Sequence, residues 1–264
     1  ADYVVTEAGF GADLGAEKFL NIKCRANNLS PDCVVLVATI RALKYNGHAQ
    51  DLKAEDLGAL ERGLPNLIKH IDNVTQQFKL PCVVAINRFF SDSEAEINLV
   101  KQACQAKNIK AIITDVYSQG GAGGLELAEE VVRICSLSNN GINFTYALED
   151  SIEQKIEKIA KNIYGAGEVE YLPNAKRQLK KLTGDGYGNL PVCIAKTQYS
   201  LSDNPNLLGA PKGFKLTIRD LQLRAGAGFV VAIAGDIMLM PGLPKSPNAE
   251  RMAIDSQGNI TGLF

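Results

Sequence analysis

The sequence has no tryptophan and only two histidines, His48 and His70, among its 264 residues. It also has no surplus of charge of either sign, because 28 lysines and arginines oppose 29 aspartates and glutamates. A chain without a basic surplus lacks the attraction that draws proteins to nucleic acids or anionic membranes. We therefore expect neither as a partner. The longest apolar run, residues 229–234, is far shorter than the ~20 residues that a membrane-spanning helix needs.

The cysteines form no C-x-x-C pair and no group with the two histidines, so a zinc site is not expected. Most of them lie in apolar stretches, which favours reduced, buried thiols in a cytoplasmic protein. Residues 1–5 have neither a basic region nor a long apolar stretch, so they are not a signal peptide. They form a β-like run, and we expect the chain to begin within a domain. The cysteines are Cys24, Cys33, Cys82, Cys104, Cys135 and Cys193.

Short apolar runs alternate with helical periodicity through the first 165 residues. Such continuous apolar runs are typical of parallel strands buried on both faces. Pro65 should kink or split its helix, and Ser91 with Glu94 predicts the start of a later helix. The alternation predicts an α/β fold, with a mostly parallel sheet flanked by helices, of the doubly wound or P-loop NTPase-like type. The predicted strands are residues 34–38, 82–86, 111–114 and 144–148, and the predicted helices are residues 56–78, 91–107, 124–135 and 151–163.

The pattern changes after Gly165. Apolar and polar residues alternate over residues 214–223, which predicts a half-buried antiparallel strand. A domain boundary is predicted near Leu80. The remaining predicted elements are a helix over residues 171–181, strands over 192–195 and 229–234, and an irregular, antiparallel-rich C-terminal part that ends in a Pro- and Gly-rich tail over 238–264.

Ligands of open α/β sheets bind beyond the carboxyl ends of the strands, so the segments that leave each strand are candidate sites. Gly9, Gly11 and Asp13 lie in a G-x-G-x-x-x-G turn whose backbone could approach a phosphate at a helix N-terminus. A tight strand-to-helix turn explains the glycines equally well, with Asp13 complementing the helix dipole. A dinucleotide site is a weaker third interpretation, because the turn is one residue too long for that fingerprint.

Three predicted strands are followed by groups that could contact a flat or anionic ligand. Arg41 and Lys44 follow the first strand and could face an anion, although a solvated basic turn is the simpler interpretation. Phe89 and Phe90 follow the second strand, and Tyr117 follows the third. These rings could form the walls of a slot for a flat ligand, or they could pack beneath a neighbouring helix.

The chain lacks the residue patterns of phosphoryl and hydrolytic chemistry. It has no G-x-x-x-x-G-K-[ST] loop, no H-x-E, no G-x-S-x-G and no nucleophile beside a histidine. The polar segment at residues 196–200 follows another strand but is nonspecific. We therefore expect no complete set of catalytic groups for phosphoryl transfer in this chain.

The run VATIRALKYNG at residues 37–47 resembles the second signature of the formate–tetrahydrofolate ligase family. His48 departs from it, since the family usually has a second glycine there. The likeness covers only the carboxyl-terminal part of the family's proteins, whose amino-terminal half carries the ATP phosphate loop. We expect the chain to be a fragment, or one piece of a split or processed ligase. Other segments that resemble the family are residues 6–14, 84–89, 190–203, 226–229, 240–244 and 262–264.

The resemblance implies that residues 1–80 are the C-terminal part of a nucleotide-binding domain and that residues 81–264 are a folate-binding α/β domain. It implies ATP-dependent joining of formate to tetrahydrofolate through formyl phosphate, giving 10-formyltetrahydrofolate, with Mg²⁺ and a monovalent cation assisting. Such proteins are typically homotetramers, so we expect a homo-oligomer or docking to a separate amino-terminal half. A non-catalytic folate-binding or assembly subunit is the alternative, because the phosphate loop is absent.

The resemblance also implies roles for individual residues. It places the pterin ring between Phe89 and Tyr117, with Phe90 and Ile113 completing the slot. Tyr117 stands where bacterial members usually have tryptophan, and Phe90 stands where a smaller residue or proline is common. The residues implied in catalysis are Glu7, Phe10 and Arg41, and those implied in nucleotide binding are Gly9, Gly11 and Asp13; no metal ligand is implied in this chain.

Overall fold

The computed structural model describes residues 1–137, 141–237, 245–256 and 260–262. Two larger sheets and one short hairpin organise these residues. The strands are β1 (Val34–Ala38), β2 (Cys82–Asn87), β3 (Ala111–Thr114), β4 (Glu168–Tyr171), β5 (Val192–Ala195), β6 (Lys215–Arg224), β7 (Phe229–Ala234), β8 (Ala253–Ile254) and β9 (Ile260–Thr261). The α-helices are α1 (Gly15–Lys18), α2 (Arg25–Asn27), α3 (Ile40–Asn46), α4 (Leu57–Asp72), α5 (Glu94–Gln105), α6 (Val116–Gln119), α7 (Leu125–Cys135), α8 (Ile152–Lys158) and α9 (Pro173–Gly184).

The first sheet has the order β1-β2-β3, and all its strands are parallel. Helices α3, α4 and α5 pack on one face through a cluster that includes Ile40, Leu67 and Val100. Helix α7 packs on the other face, where Ile134 meets Val83 and Ile112. A parallel sheet covered by helices on both faces confirms the predicted α/β fold class; the likeness to P-loop NTPases stays a prediction.

The second sheet has the order β4-β6-β7-β5 and is mixed. Strands β6 and β7 pair antiparallel, as the alternation over residues 214–223 predicted. The β4–β6 and β5–β7 pairs are parallel. Helices α8 and α9 cover this sheet and contribute buried side chains to a shared apolar cluster. The strands predicted over residues 192–195, 214–223 and 229–234 therefore all belong to this mixed sheet.

The strand predicted over residues 144–148 is wrong, because side chains take the hydrogen bonds that a neighbouring strand would need. The Thr145 N–H donates to Oδ1 of Asn21 at 3.0 Å, and the Tyr146 carbonyl accepts from Arg25 at 2.6 Å. The Tyr146 hydroxyl lies buried against the backbone of Val192 at the start of β5. This segment is a loop that links residues 21–25, at and just before the start of α2, to the second sheet.

Residues 1–5 form no strand in the structure either, and Val5 is 91% exposed. None of the described strands pairs with them, so their apolar side chains have no sheet to join. Helix α4 runs unbroken through Pro65, which lies on its exposed side. The carbonyl that loses its N–H partner there can be hydrated, so the expected split does not occur.

Helix α5 begins two residues later than predicted. Ser93 and Glu96 form its capping box, whereas Ser91 and Glu94 had been predicted to do so. Both pairs have the same spacing, so the sequence pattern alone did not distinguish them. Helix α9 begins at Pro173, after β4, because proline suits the first turn of a helix but not its interior.

The predicted boundary near Leu80 falls between two strands, β1 and β2, that pair in one sheet, and the two-domain division stays a prediction. In the tail, β8 and β9 form a short antiparallel pair inside the segment that was predicted to be irregular. Residues 240–244 and 263–264, which resemble family segments, lie outside the described residues. Among the described helices, none combines the length and the apolar character needed to cross a membrane.

Candidate functional site

The carboxyl ends of the three parallel strands lie side by side at one edge of the first sheet. Ala38 of β1 is level with Ile86 of β2, which is level with Ile113 of β3. Arg41, Phe89 and Tyr117 follow these ends within three residues of β1, β2 and β3. The structure therefore brings three of the predicted site residues to one edge of the sheet.

Helix α3 positions Arg41 and Lys44 on different sides. The Thr39 hydroxyl caps the helix by accepting from the Ala42 N–H at 3.1 Å. Lys44 is fully buried, where its Nζ pairs with Oε1 of Glu96 at 2.9 Å and donates to the Ala54 carbonyl at 2.6 Å. Lys44 is neither a ligand-facing cation nor part of a solvated turn. It fixes α3 against α5, so Arg41 is the cation of this pair that is left for the site.

The turn after β2 holds Phe89 in place. The Phe89 N–H donates to Oδ2 of Asp92 at 2.8 Å, and the Asp92 N–H donates back to the Phe89 carbonyl at 3.0 Å. The Arg41 guanidinium lies over the Phe89 ring, 4.1 Å from its centroid, and donates to the Ser91 hydroxyl at 3.3 Å. Phe90 is 94% exposed, so the two aromatics do not pack together beneath a helix.

Tyr117 stands on a short turn of helix that is closed by its neighbours. The Asp115 carboxylate accepts from Ser118 and Gln119, and these hydrogen bonds lower the pKa of the carboxyl. The Asp115 N–H donates to the Gly123 carbonyl at 3.0 Å. A Cβ on Gly123 would lie 2.2 Å from the Asp115 carbonyl oxygen, so this position requires glycine. The closed turn leaves the Tyr117 ring 97% exposed.

The turn at residues 7–15 is attached to the second sheet. Asp13 is buried and its Oδ2 pairs with Nζ of Lys196, directly after β5, at 2.6 Å. Glu7 is exposed, and Phe10 is 78% exposed with a left-handed φ of 65°. The Asp13 carboxylate is thus occupied by a lysine of this chain. Gly9 is exposed and Gly11 is half-buried, and nucleotide binding by Gly9, Gly11 and Asp13 stays a prediction.

Lys196 is completely buried and is held on several sides. It donates to the carbonyls of Thr197 and Ser200, and its Nζ lies 5.0 Å from the ring centroid of Tyr164. The same loop carries Tyr199, whose ring centroid is 6.4 Å from that of Tyr45 on α3. The segment at residues 196–200, which was nonspecific in the sequence, therefore joins the 7–15 turn to the helix that carries Arg41.

Sequence reasoning missed the residues that hold this arrangement together. Asp92, Glu96 and Lys196 each place a functional segment through a buried hydrogen bond or ion pair. The S-x-x-E spacing at Ser93 and Glu96 was the one available signal. Long-range pairs such as Asp13–Lys196, 183 residues apart, carry no local pattern.

Within the described residues, no group of three or more His, Cys, Asp or Glu side chains is placed to hold a metal ion. The Mg²⁺ and the monovalent cation that the family resemblance implies stay predictions.

The chain is thus an α/β protein, and aromatic rings and a cation follow the strand ends of its parallel sheet. The carboxyl edge of such a sheet is where open α/β proteins bind their ligands. All residues, 1–264, match the family model described as formate–tetrahydrofolate ligase. The chain therefore belongs to the formate–tetrahydrofolate ligase family, which is a family of enzymes.

A curated relative extends this finding. The protein named formate–tetrahydrofolate ligase from Symbiobacterium thermophilum is 56% identical to the chain over 266 residues. The match covers 100% of this chain and 48% of the relative. The chain thus spans about half the length of the curated relative that it matches.

Proposed function

We propose that this chain is the folate-binding part of an ATP-dependent formate–tetrahydrofolate ligase that makes 10-formyltetrahydrofolate. The observation that carries this proposal is the carboxyl edge of the first sheet, where Phe89 and Tyr117 leave neighbouring parallel strands. An exposed tyrosine ring and a phenylalanine fixed by its turn offer stacking faces for a flat pterin. Family membership supports the choice of tetrahydrofolate as the flat ligand.

In the proposed reaction, a formate oxygen attacks the γ-phosphorus of ATP, and ADP leaves. The amine N10 of tetrahydrofolate then attacks the carbon of formyl phosphate. The C–O bond to phosphate breaks, phosphate leaves and N10 loses its proton. This chemistry depends mainly on positioning and on charge neutralisation around the phosphoryl group. The proposed contribution of this chain is to orient the pterin so that N10 faces the formyl group.

The other predicted site residues have a less direct place in this proposal. Ile113 of β3 is half-buried and lies level with Ile86 of β2, and in this proposal it would form part of the floor at the sheet edge. Phe90 offers a second exposed ring at the rim. Glu7 and Phe10 would form a wall toward the nucleotide and formyl phosphate. We also propose a cytoplasmic protein that forms a homo-oligomer or docks to an amino-terminal half that carries the phosphate loop.

Tetrahydrofolate titration tests the proposal. Replacing Phe89→Ala or Tyr117→Ala removes a stacking face, and we expect each variant to bind tetrahydrofolate about tenfold more weakly in calorimetry. Tyr187→Ala is the matched control, because Tyr187 lies in the loop that enters β5 at its amino end. Equal affinities for wild type, Phe89→Ala and Tyr117→Ala would remove the stacking claim.

A non-catalytic folate-binding or assembly subunit is the second candidate, and one observation favours it. The 264 residues contain no G-x-x-x-x-G-K-[ST] loop to hold the phosphates of ATP. The test incubates the chain with ATP, formate and tetrahydrofolate and measures 10-formyltetrahydrofolate. We expect folate binding without turnover. Formation of product by the chain alone would show that its set of catalytic groups is complete.

A further inference from the structure

We infer that Arg41 is a positioning residue that acts on the folate through Phe89, rather than a catalytic residue. This inference deepens the proposed function and rests on it. It assigns one face of the Phe89 ring to the protein and leaves the other face for the pterin.

The guanidinium occupies a face of Phe89, not its edge. Its central carbon is 4.1 Å from the ring centroid, which is closer than an approach in the plane of the ring would allow. Arginine stacks well on aromatic rings because its guanidinium is flat and weakly hydrated. A second flat group cannot use the same face. A pterin that stacks on Phe89 must therefore use the face that Arg41 leaves free.

The Arg41 guanidinium and the Phe89 ring are both carried by elements that buried contacts fix in place. The Lys44–Glu96 ion pair is completely buried and joins α3, which carries Arg41, to α5. Helix α5 starts directly after the Phe89 turn, and that turn is closed by Asp92. The guanidinium and the ring thus sit on two elements that are fixed to each other. Their stacking is a consequence of the packing and not of two free side chains meeting.

Arg41 also makes a hydrogen bond within the Phe89 turn. Its Nε is buried and has no hydrogen-bond partner among the described residues. One terminal nitrogen donates to the Ser91 hydroxyl, two residues beyond Phe89. One face of the Phe89 ring and one donor of the Arg41 guanidinium are thus both used within the same turn.

A double-mutant cycle with tetrahydrofolate binding as the readout tests this inference. The proteins are wild type, Arg41→Met, Phe89→Ala and the double variant of the 264-residue chain. We expect Arg41→Met to weaken tetrahydrofolate binding about tenfold. In the Phe89→Ala background, the same change should have no further effect, because the ring through which Arg41 acts is gone. Arg177→Met on α9 is the matched control and should bind as wild type does.

The outcomes separate the inference from the function on which it rests. Equal losses for Arg41→Met with and without Phe89 would show that Arg41 touches the ligand itself and would overturn the inference alone. Arg41→Lys keeps the charge but not the flat face, so we expect it to bind as weakly as Arg41→Met. Full rescue by lysine would also overturn the stacking role. Wild-type protein that does not bind tetrahydrofolate would overturn the proposed function and the inference together.

Discussion

Four residues of the signature at residues 37–47 each have an identifiable structural role. Thr39 caps α3, Lys44 is buried in an ion pair, and Arg41 covers Phe89. A Cβ on Gly47 would lie 1.7 Å from the Ala59 carbonyl oxygen, so this glycine lets α3 pack closely on α4. Three of these four residues therefore serve helix capping and packing, and Arg41 is the one that lies at the carboxyl edge of the first sheet.

His48 has a left-handed backbone, with a φ of 61°. Glycine adopts this conformation freely, which explains why the family usually has glycine at this position. A histidine in this conformation costs about 1 kcal/mol. The departure from the signature thus has a local backbone consequence, and it gives no reason to expect a different ligand.

Glu17 is the buried titratable group that should affect stability most clearly. Its Oε1 accepts from Asn21 at 2.8 Å, while its Oε2 is buried without a partner in the described structure. Desolvation raises the pKa of Glu17 to about 8, against the opposing effect of the Asn21 hydrogen bond. The folded state therefore holds a proton that the unfolded state releases above a pKa of 4.5. The stability that depends on this proton is complete below that value and is lost as the pH rises through about 8.

We predict that Glu17→Gln removes this pH dependence. Glutamine resembles the protonated acid, so the variant and wild type should have similar melting temperatures near pH 4.5. At pH 9 the variant should be more stable by roughly 4 kcal/mol, which is about 10 °C in Tm for a chain of this size. Thermal unfolding across this pH range measures it. The exposed Glu129→Gln is the control, and a gap that does not widen with pH contradicts the assignment.

Strands and helices could be predicted where the local pattern carries the cause. The parallel strands at 34–38, 82–86 and 111–114 are apolar because both faces of the sheet are covered. Residues 1–5 and 144–148 have similar local character but no strand, since a strand also needs a partner. Strand β4 was missed because its exposed and half-buried residues lack an apolar run. The local sequence does not show which distant segment a strand will pair with.

The turn at residues 7–15 depends on one buried ion pair for its position. Asp13 and Lys196 tie this turn to the end of β5. We predict that Asp13→Asn destabilises the protein by about 3–5 kcal/mol, because it leaves a buried lysine without its counter-charge. Chemical denaturation measures the change. Asp72→Asn is the matched control, since the exposed Asp72–Lys107 pair, whose charged atoms are 2.9 Å apart, should contribute less than about 1 kcal/mol. Equal losses in the two variants would contradict the structural role of Asp13.

Across the whole chain, the structure places the predicted residues in two groups. Arg41, Phe89 and Tyr117 follow strand ends at one edge of the first sheet, whereas the 7–15 turn is fixed to the second sheet. Helix α3 contacts the first group where Arg41 lies over the Phe89 ring. Through the Tyr45–Tyr199 ring pair it also contacts the loop after β5, which holds the 7–15 turn. The position of Arg41, Phe89 and Tyr117 at one sheet edge could be predicted because these residues follow apolar strands. The buried pairs that hold it could not, since they join segments far apart in sequence.

A crystal structure of the chain with bound tetrahydrofolate tests the central claim most directly. The account predicts a pterin ring packed against the face of Phe89 that Arg41 leaves free, with the Tyr117 ring on its opposite side. A pterin bound at another place, with Phe89 and Tyr117 left uncovered, would contradict it.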